Sequence, residues 1–558
     1  MELKHHRHSG VIGQPYSAAP GLLKGASKMK SVLLATTALV AFSAAALAAD
    51  PLVLTSVPFG PSDDMLSPGL KEIPVAEGAY KLENPSKYIG YYGYGNDGPL
   101  TPAKGAVPSK DKLIEATKTE PDKNTYLVLT GATGPTKGYD YGTHFVFQGH
   151  ESGPKDENGV ARGALTRINL DANLKHRVTL MADADVNGKP LPLIDGSAWD
   201  PFAKVLLLTS EAGKDGGVWQ ATLDFPSKVT DLSGVLGKAA YEGVQLDSDG
   251  TVWLVEDAGG SGGSSTKNAK QPNSFVYRFV PKFRDDLSKG GTLQVLQVLD
   301  QYAKPIVFHD GKANDDILAP IQSILYGYNY ELSTRWVTVH DTDKDGTAPY
   351  DANALAKAAN GTPFKRPENG QFRPGTSFKE FYFTVTGDTN LKTEAVESYG
   401  GFGGIMRLTQ KKPSADTGRI SMIYRGDAAH SGFDNLSFFD GSNLLIAEDA
   451  GDKLHGQRSA FDSLYMIDVT ADYTAKDPVR VLAQARDAAA TLDTTFAGKP
   501  GYQNEGDNEI TGIHVSDGNP TVEGLIGTTA PTPFANGWRI FYTRQHGTNT
   551  TFEIVQSK

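Results

Sequence analysis

Two stretches of the chain place carboxylates at matching positions around a short apolar run. The first, Tyr241–Gly260, reads YEGVQLDSDGTVWLVEDAGG, and the second, Phe433–Asp452, reads FDNLSFFDGSNLLIAEDAGD. In both, an acidic residue near the start stands 14 positions before the first member of a Glu-Asp pair. The matched residues are Glu242 with Glu256 and Asp434 with Glu448. Carboxylate oxygens are ligands that hard cations such as Ca²⁺ prefer, so the spacing indicates cation chemistry at a repeated structural position.

A third, looser copy extends the repeat. Ile194–Gly213, IDGSAWDPFAKVLLLTSEAG, contains a turn and an apolar run that leads to Glu211. Each copy has the pattern of two strands joined by a turn, and such hairpins repeated along a chain are typical of β-propeller blades. We therefore predict that the copies are inner hairpins of blades, and that their carboxylates converge on one central channel.

This convergence predicts a site for more than one metal ion. Crowded carboxylates raise each other's pKa, and they ionise together only when cations neutralise them. Basic residues are sparse beside the repeats. The ligands predicted from the repeats are Glu211, Glu242, Glu256, Asp257, Asp434, Glu448 and Asp449. The alternative for any single copy is that its Asp and Gly residues only form the turn.

Composition narrows the chemistry further. The 558 residues include no cysteine, which excludes disulfides, thiolate metal sites and cysteine nucleophiles. Oxygen or imidazole must hold any metal, which favours Ca²⁺, with iron or another transition metal as the alternative. The formal net charge of −11 argues against nucleic acid as a partner, because such binding needs a basic surface.

The periodicity of the chain indicates strands. Short β-branched or aromatic segments bounded by turn residues recur along it, as in Thr143–Gln148 and Val205–Thr209. Helices are predicted only at Asp315–Tyr326, Asn353–Ala359 and Pro478–Ala488. We predict an all-β fold, a six-bladed β-propeller with long loop insertions and few short helices. Seven blades are the alternative, because the length of the chain allows either division.

The N-terminal part predicts export. Residues 29–49, MKSVLLATTALVAFSAAALAA, combine a basic start, an apolar centre and a cleavage motif. We assign residues 1–28 to a non-structural extension, 29–49 to a signal peptide, 50–140 to a lead-in segment that wraps the propeller, and 141–558 to the propeller. The mature protein is expected to be periplasmic or secreted and monomeric, without a membrane anchor. An uncleaved anchor is the alternative.

A separate, peripheral calcium site is predicted on Asp341, Asp343 and Asp345. These residues place oxygens at the first, third and fifth positions of a calcium-loop pattern, and Gly346 stands at the sixth. Ala352 occupies the twelfth position, where that pattern has a glutamate. The alternative is an Asp-rich turn.

Taken in order, these features resemble the PhoX-type alkaline phosphatases and related uncharacterised propellers. The motifs that carry the resemblance are His150-Glu151, Leu206–Glu211, Glu242-Gly243, Arg366–Glu368, Phe433–Leu436, Glu448-Asp449, Glu509–Gly512 and Gln545–Gly547. The resemblance implies a six-bladed propeller, periplasmic or secreted, that hydrolyses phosphate monoesters with iron and calcium ions in its axial channel.

The chain departs from the pattern of this family at three points. The family is expected to use a cysteine thiolate on iron, and Asp195-Gly196-Ser197 stands where that segment is expected. A paired Glu-Glu after the following strand is here Glu211-Ala212. The twin-arginine signal usual in the family is absent from this sequence. Most of the calcium-type carboxylates of the family pattern are present in this sequence.

Three functions are consistent with these residues. The first is a metal-dependent hydrolase of small-molecule phosphoesters, with a metal-activated water or oxide as the nucleophile. Its further ligands would be Glu151, Glu368, Asn435 and Glu509, and its catalytic residues, which hold the substrate phosphate, would be Arg366, Arg544 and His546. The second is a non-catalytic, calcium-binding propeller. The third is a different propeller hydrolase, acting on a lactone or a phosphotriester.

Overall fold

Antiparallel strands and the turns between them dominate the computed structural model of the protein. It describes residues 65–98, 100–102, 113–264, 269–388, 397–449, 462–483, 509–545 and 549–557. The predicted N-terminal extension, the predicted signal peptide and His546 lie outside these residues.

The strands are short, and several are buried along their whole length. β14 and β22, for example, have no exposed residue, because neighbouring sheets cover both of their faces. The strands are β1 (Met65–Leu66), β2 (Leu70–Ala76), β3 (Leu100–Pro102), β4 (Leu113–Glu115), β5 (Pro121–Val128), β6 (His144–His150), β7 (Leu165–Asn169), β8 (Val178–Ala182), β9 (Ser197–Asp200), β10 (Val205–Ser210), β11 (Gly217–Ala221), β12 (Val229–Asp231), β13 (Tyr241–Leu246), β14 (Val252–Glu256), β15 (Val276–Pro281), β16 (Gly291–Leu299), β17 (Leu332–Asp341), β18 (Pro367–Phe372), β19 (Glu380–Val385), β20 (Gly404–Gln410), β21 (Thr417–Arg425), β22 (Phe433–Phe438), β23 (Asn443–Glu448), β24 (Ser463–Asp468), β25 (Val479–Ala483), β26 (Glu509–Ser516), β27 (Arg539–Gln545) and β28 (Thr550–Gln556).

Helices within the described residues are few and short. They are α1 (Ser233–Leu236), α2 (Ala313–Ile317), α3 (Pro320–Leu325), α4 (Thr342–Asp345) and α5 (Ala352–Ala358), with single 3₁₀ turns elsewhere. None of them has the length and apolar character needed to cross a membrane. The helix predicted at Pro478–Ala488 is wrong over its described part, which forms β25. Val479 and Val481 favour a strand, and pairing with β24 overrides the helical tendency of the alanines that follow.

The strands form antiparallel meanders in chain order. β5–β8 and β9–β12 are separate four-stranded sheets, and β22–β25 carry β1 as a fifth strand. A nine-stranded sheet contains the meanders β13–β16 and β18–β21, which β17 joins. The last sheet consists of β26, β27 and β28 with β2, a strand from the N-terminal segment, at its outer edge. The chain thereby closes on itself, because an early strand completes the final sheet.

The first strands of the meanders surround a common centre. β5 contacts β9, β9 contacts β13, β13 contacts β18, β18 contacts β22, β22 contacts β26, and β26 contacts β5. This is the propeller-like, all-β arrangement that the sequence predicts. Residue 141, where the predicted propeller begins, lies between β5 and β6, so the inner strand of the first meander belongs to the segment assigned to the lead-in.

Most of these inner strands carry a β-bulge near their start. The pairing of β5, β13, β18, β22 and β26 with the next strand shifts there. A bulge also precedes β9, where two residues face one. The N–H of Asp195 donates to the carbonyl of Thr209, and the N–H of Thr209 donates to the carbonyl of Gly196, at 3.0 Å each. A bulge bends a strand and redirects its side chains. The bulged pairs are Asp122-Lys123, Asp195-Gly196, Glu242-Gly243, Glu368-Asn369, Asp434-Asn435 and Gly512-Ile513.

Gly243→Ala is expected to destabilise the protein by about 1–3 kcal/mol, because overpacking at a rigid contact forces the backbone to move. An added Cβ would lie 2.6 Å from Val255 Cγ2 and 2.7 Å from the carbonyl oxygen of Glu368 on the neighbouring inner strand. Urea unfolding measures the loss. Gly441→Ala is the matched control, since the nearest atom to its added Cβ is 3.7 Å away. Equal stability of the two variants would contradict the close approach of β13 and β18.

Candidate functional site

The first residue of each bulge is acidic in every meander but the last, where it is Gly512. These bulge carboxylates are all buried: Asp122, Asp195, Glu242, Glu368 and Asp434. Hydroxyl groups on the second strands hold some bulges in place, since Thr209 donates to the carbonyl of Glu242 and Thr384 to that of Asp434. The repeated bulge therefore turns one carboxylate in each of the first five meanders away from the sheets and towards the common centre.

A second set of carboxylates follows the second strand of several meanders. The backbone N–H groups of Glu151, Asp257 and Asp449 each donate to the residue just before the inner strand, at 2.9, 2.8 and 2.7 Å. This shared hydrogen bond makes the three positions equivalent. Glu211 follows β10 at the corresponding position, and its side chain is exposed. We call these the exit carboxylates, and the space between them and the bulge carboxylates the axial chamber.

Carboxylates from both sets come close enough to share a cation. One ligand atom from each of Glu211, Glu242, Asp257 and Glu368 lies within 4.8 Å of the others, and Asp122, Glu151 and Asp195 form a second group by the same criterion. We call these the four-carboxylate group and the three-carboxylate group. Each combines bulge and exit residues from different meanders, which is how distant parts of the sequence meet.

Arg366 neutralises part of the four-carboxylate group. Its Nε donates to both carboxylate oxygens of Asp257 at 2.9 and 3.0 Å, and its Nη2 lies 2.5 Å from Asp257 Oδ2 and 3.4 Å from Glu368 Oε1. The backbone of Arg366 has φ +58, a left-handed conformation that costs energy in a non-glycine residue. Such strain persists only where the surroundings enforce it, and here it aims the guanidinium into the chamber.

Glu242 is a buried chamber carboxylate with little compensation of its charge by the described residues. Asn369 Nδ2 donates to its Oε1 at 3.2 Å, but among the described residues no N–H or O–H group donates to its buried Oε2. Burial and the neighbouring carboxylates of Glu368 and Asp195 raise the pKa of Glu242 well above its usual value. An orphaned carboxylate oxygen among further carboxylates fits a hard divalent cation, since such a cation takes oxygen ligands and supplies the missing charge.

The three-carboxylate group has the same electrostatic character. Burial raises the pKa of Asp122 to about 6, although hydrogen bonds such as the one from Thr511 oppose the shift. Burial, together with Asp122, Glu151 and Glu211, raises the pKa of Asp195 well above its usual value. Gln545 Nε2 donates to Glu151 Oε2 at 3.0 Å. These oxygens, like those of the four-carboxylate group, could hold a metal ion.

The second bulge residues form the floor of the chamber. Lys123 Nζ donates to Asn435 Oδ1 at 3.0 Å and to the carbonyl of Ile513 at 3.2 Å. Asn369 Nδ2 lies 3.3 Å from Asp434 Oδ1, and Asn435 Nδ2 lies 2.9 Å from Asp434 Oδ2. Burial lowers the pKa of Lys123 to about 8, although the surrounding carboxylates favour its charged form. The floor thus supplies one ammonium and two amides beneath the acidic residues.

The structure does not bring Glu256 and Glu448 into either carboxylate group. Glu256 accepts from Phe275 N, Tyr277 OH and Asn353 Nδ2, at 3.1, 3.1 and 2.8 Å. Glu448 accepts from the backbone N–H groups of Ser431 and Ser463 at 3.0 Å each. Both carboxylates satisfy the backbone at the start of the third strand of their sheets. Their metal ligation stays a prediction, while the next residues, Asp257 and Asp449, are exit carboxylates.

The structure places the other predicted site residues as follows. The amide of Asn435 is hydrogen-bonded to Lys123, Gly512, Thr511 and Asp434. Glu509 is buried, and its electrostatic neighbours are Asp449, Glu151, Asp434 and Asp122, which places it beside the chamber. Arg544 alternates along β27 with Gln545, and its guanidinium lies 5.4 Å from the centre of the Phe552 ring. His546 is outside the described residues.

The predicted peripheral calcium loop has lysine partners on two of its carboxylates. Lys344 Nζ lies 2.6 Å from Asp341 Oδ2, and Lys282 pairs with Asp343. Asp345 accepts the backbone N–H of Asp341 at 2.8 Å. These three aspartates do not appear among the described groups of carboxylates that converge within 4.8 Å. The arrangement is that of an N-capped turn, with Asp341 as the cap of α4.

Two important bulge residues, Asp122 and Lys123, are absent from the sequence predictions. The loop between β5 and β6, from Leu129 to Thr143, lengthens that hairpin and hides its relation to the other copies. Asp195 was recoverable, because it stands 16 positions before Glu211, close to the offset between Glu242 and Asp257. The useful signal is the pairing of bulge and exit residues across a hairpin of variable length.

The sequence now identifies the family. The family model described as "Alkaline phosphatase PhoX" matches residues 235–522, which is more than half of the chain. The matched residues include three members of the four-carboxylate group, Glu242, Asp257 and Glu368. The chain belongs to the alkaline phosphatase PhoX family. This membership makes it an alkaline phosphatase-like phosphoesterase.

One solved structure agrees with the fold of a PhoX-family protein. The chain is similar to Pseudomonas fluorescens PhoX in complex with vanadate, a transition state analogue, with a TM-score of 0.51 and 11% identity over 91% of this chain and 97% of that one. At that identity the likeness shows the fold alone. The GH43_1 enzyme from Xanthomonas citri complexed with xylose has a TM-score of 0.27 and 13% identity over 63% and 88%, too low to inform the fold. No curated protein matches the chain.

Proposed function

We propose that this PhoX-family protein is an exported, divalent-cation-dependent hydrolase of small-molecule phosphate monoesters, built as a six-bladed propeller. The observation that carries the proposal is the four-carboxylate group, one member of which, Glu242, has a buried Oε2 without a donor among the described residues. Six blades follow from counting β13–β16 and β18–β21 as two blades joined by β17. The sequence pattern of residues 29–49 supports export to the periplasm or beyond.

The four-carboxylate group and the three-carboxylate group would hold the cations. All of these donors are carboxylate oxygens, and the chain contains no cysteine. Buried His150 is hydrogen-bonded through both ring nitrogens to Thr119 and Thr166, so it does not add an imidazole ligand. Such a donor set favours Ca²⁺, Mg²⁺ or Mn²⁺ over iron or zinc. When bound, these ions supply Lewis-acid stabilisation of the phosphoryl oxygens and an activated water.

The chain's own residues would bind and orient the substrate. Arg366 uses Nε and Nη2 for Asp257 and Glu368, while its Nη1 takes part in neither contact. The Arg366 side chain is 31% exposed, so this edge can donate to a phosphoryl oxygen at the chamber. Exposed Glu211 lies on the solvent side of the four-carboxylate group, and buried Glu368 and Glu242 lie deeper. The phosphate would therefore enter past Glu211 and Arg366.

A direct assay tests the proposal. The mature protein is stripped of metal with EDTA, desalted, and assayed with p-nitrophenyl phosphate alone and with Ca²⁺, Mg²⁺, Mn²⁺ or Fe²⁺. We expect no turnover in EDTA and recovery with an oxygen-preferring cation. Calcium binding without turnover under any of these ions would contradict the hydrolase and favour a non-catalytic calcium-binding propeller. Turnover that survives complete metal removal would contradict the metal dependence.

The free energy of unfolding of the metal-free protein is expected to fall as pH rises from 5 to about 7.5. Burial raises the folded-state pKa of Asp122 to about 6 and that of Glu256 to about 7, above their unfolded values. Burial also raises the pKa values of Asp195, Glu242 and Glu368 well above their usual values. These carboxyls outnumber the two buried histidines, His150 and His514, whose pKa burial lowers to about 3 and whose contribution has the opposite sign. The folded protein therefore binds more protons than the unfolded chain in this pH window. The free energy of unfolding falls with rising pH, by up to about 1.4 kcal/mol per pH unit for each carboxyl group that stays protonated only in the folded state. Urea unfolding in EDTA checks the slope. A rise in stability over the same window would contradict the raised pKa values of these buried carboxyl groups.

A further inference from the structure

The floor of the axial chamber contains an unusual residue for an acidic site. Lys123 is buried, with 5% of its surface exposed, and it is the second residue of a bulge that begins with Asp122. The equivalent residues on the neighbouring strands of the ring are Gly196, Gly243, Asn369, Asn435 and Ile513. The chain therefore places a cation on the chamber floor at a position that its other meanders leave neutral.

The surroundings of the ammonium resemble those of a bound metal cation. Lys123 Nζ is hydrogen-bonded to an amide oxygen, Asn435 Oδ1, and to a backbone carbonyl, that of Ile513. Asp122, Asp434, Glu242 and Asp195 attract it electrostatically. Carboxylates, asparagine oxygens and backbone carbonyls are the donors that Ca²⁺ takes in proteins. A lysine side chain here satisfies a set of oxygens suited to a metal ion.

The position of Lys123 also separates two spaces. A cavity farther along the same inner strands is lined by Lys123 together with Thr125, Ser197, Gln245 and His514. That cavity contains none of the chamber carboxylates. The ammonium thus marks the inner limit of the acidic chamber.

We propose that the ammonium of Lys123 is a built-in cation that occupies the innermost cation position of the axial chamber. It confines exchangeable divalent ions to the carboxylate groups nearer the exit residues. The inference rests on the proposed function, since it concerns the number of metal ions in that site. Removing the charge frees Asn435 Oδ1 and the Ile513 carbonyl and leaves the surrounding carboxylates without their fixed partner, so an additional divalent ion can bind.

Calcium titration of metal-free protein tests the proposal. Isothermal titration calorimetry, with elemental analysis of the saturated protein, gives the number of Ca²⁺ ions per chain for the wild type, Lys123→Met and Lys123→Arg. We expect Lys123→Met, which has a similar length and no charge, to bind one more Ca²⁺ than the wild type. Lys123→Arg keeps the charge and is the matched control. We expect it to bind the same number of Ca²⁺ ions per chain as the wild type.

The outcomes separate this inference from the proposed function. A wild type that binds no divalent cation overturns the metal dependence and this inference with it. A wild type that binds Ca²⁺, with an equal number and affinity in Lys123→Met, overturns the inference alone. If Lys123→Met folds only in Ca²⁺ while the wild type also folds in EDTA, the dissolved ion has replaced the ammonium, as proposed. If Lys123→Met folds in neither condition, a metal ion cannot take that position and the inference is overturned.

Discussion

Glu242→Gln is expected to lower Ca²⁺ affinity and phosphomonoesterase turnover by at least about 100-fold, because loss of outer partners of metal ligands alone costs 10–100-fold. The substitution keeps the shape of the side chain and removes a charge that no donor among the described residues compensates at Oε2. It also removes one of the carboxylates that converge within 4.8 Å. Calorimetry on metal-free protein and steady-state kinetics with p-nitrophenyl phosphate measure the two effects.

Glu256→Gln is the matched control for this prediction. It is the same change in the same hairpin, 14 positions later, at a buried carboxylate that accepts from Phe275 N, Tyr277 OH and Asn353. We expect unchanged Ca²⁺ affinity and a loss of about 1–3 kcal/mol in the free energy of unfolding, since an amide cannot accept from all three donors. Equal loss of Ca²⁺ affinity in both variants would contradict the placement of the site and support the ligand role predicted for Glu256.

Arg366→Met is expected to destabilise the metal-free protein by about 3 kcal/mol, the lower end of the range for breaking a buried ion pair, because the arginine side chain is partly exposed. The substitution removes the bidentate hydrogen bonds that Arg366 donates to buried Asp257. It also removes the positive charge beside Glu368. Saturating Ca²⁺ should reduce the loss, since a bound cation supplies the charge that the substitution removed. Urea unfolding in EDTA and in Ca²⁺ measures the difference.

Arg373→Met controls for the loss of an arginine outside the chamber. Arg373 Nη1 lies 3.3 Å from Glu380 Oε2. The carboxylate of this pair is more exposed than Asp257, the partner of Arg366. Its loss in stability is expected to be the same with and without Ca²⁺. If Arg366→Met behaves identically in the two conditions, the account of Arg366 as a partner of a cation-binding group is wrong.

The repeat in the sequence predicts the fold and much of the chamber, but it does not separate adjacent carboxylates. Glu256 and Asp257 follow one another, and only the pairing of β14 shows that the first satisfies the backbone and the second points to Arg366. Neighbouring residues of a strand face opposite sides, so this assignment depends on register. The same distinction separates Glu448 from Asp449.

Other parts of the site depend on contacts between distant segments. Lys123 is not recognisable as a chamber residue from its own neighbourhood, because its partners Asn435 and Ile513 lie more than 300 positions away in the chain. Gln545, which holds Glu151, comes from the opposite end of the chain. The contacts of β26 with β5 and with β22 bring these segments together, and local patterns carry no information about them.

The central claim is that the carboxylates of the axial chamber bind a divalent cation. Crystals of the mature protein grown with Mn²⁺, which shares the oxygen preference of Ca²⁺ and scatters anomalously, test it most directly. We expect an anomalous peak in contact with oxygens of Glu211, Glu242, Asp257 and Glu368. A chamber without a peak, or a peak only at Asp341, Asp343 and Asp345, would contradict it.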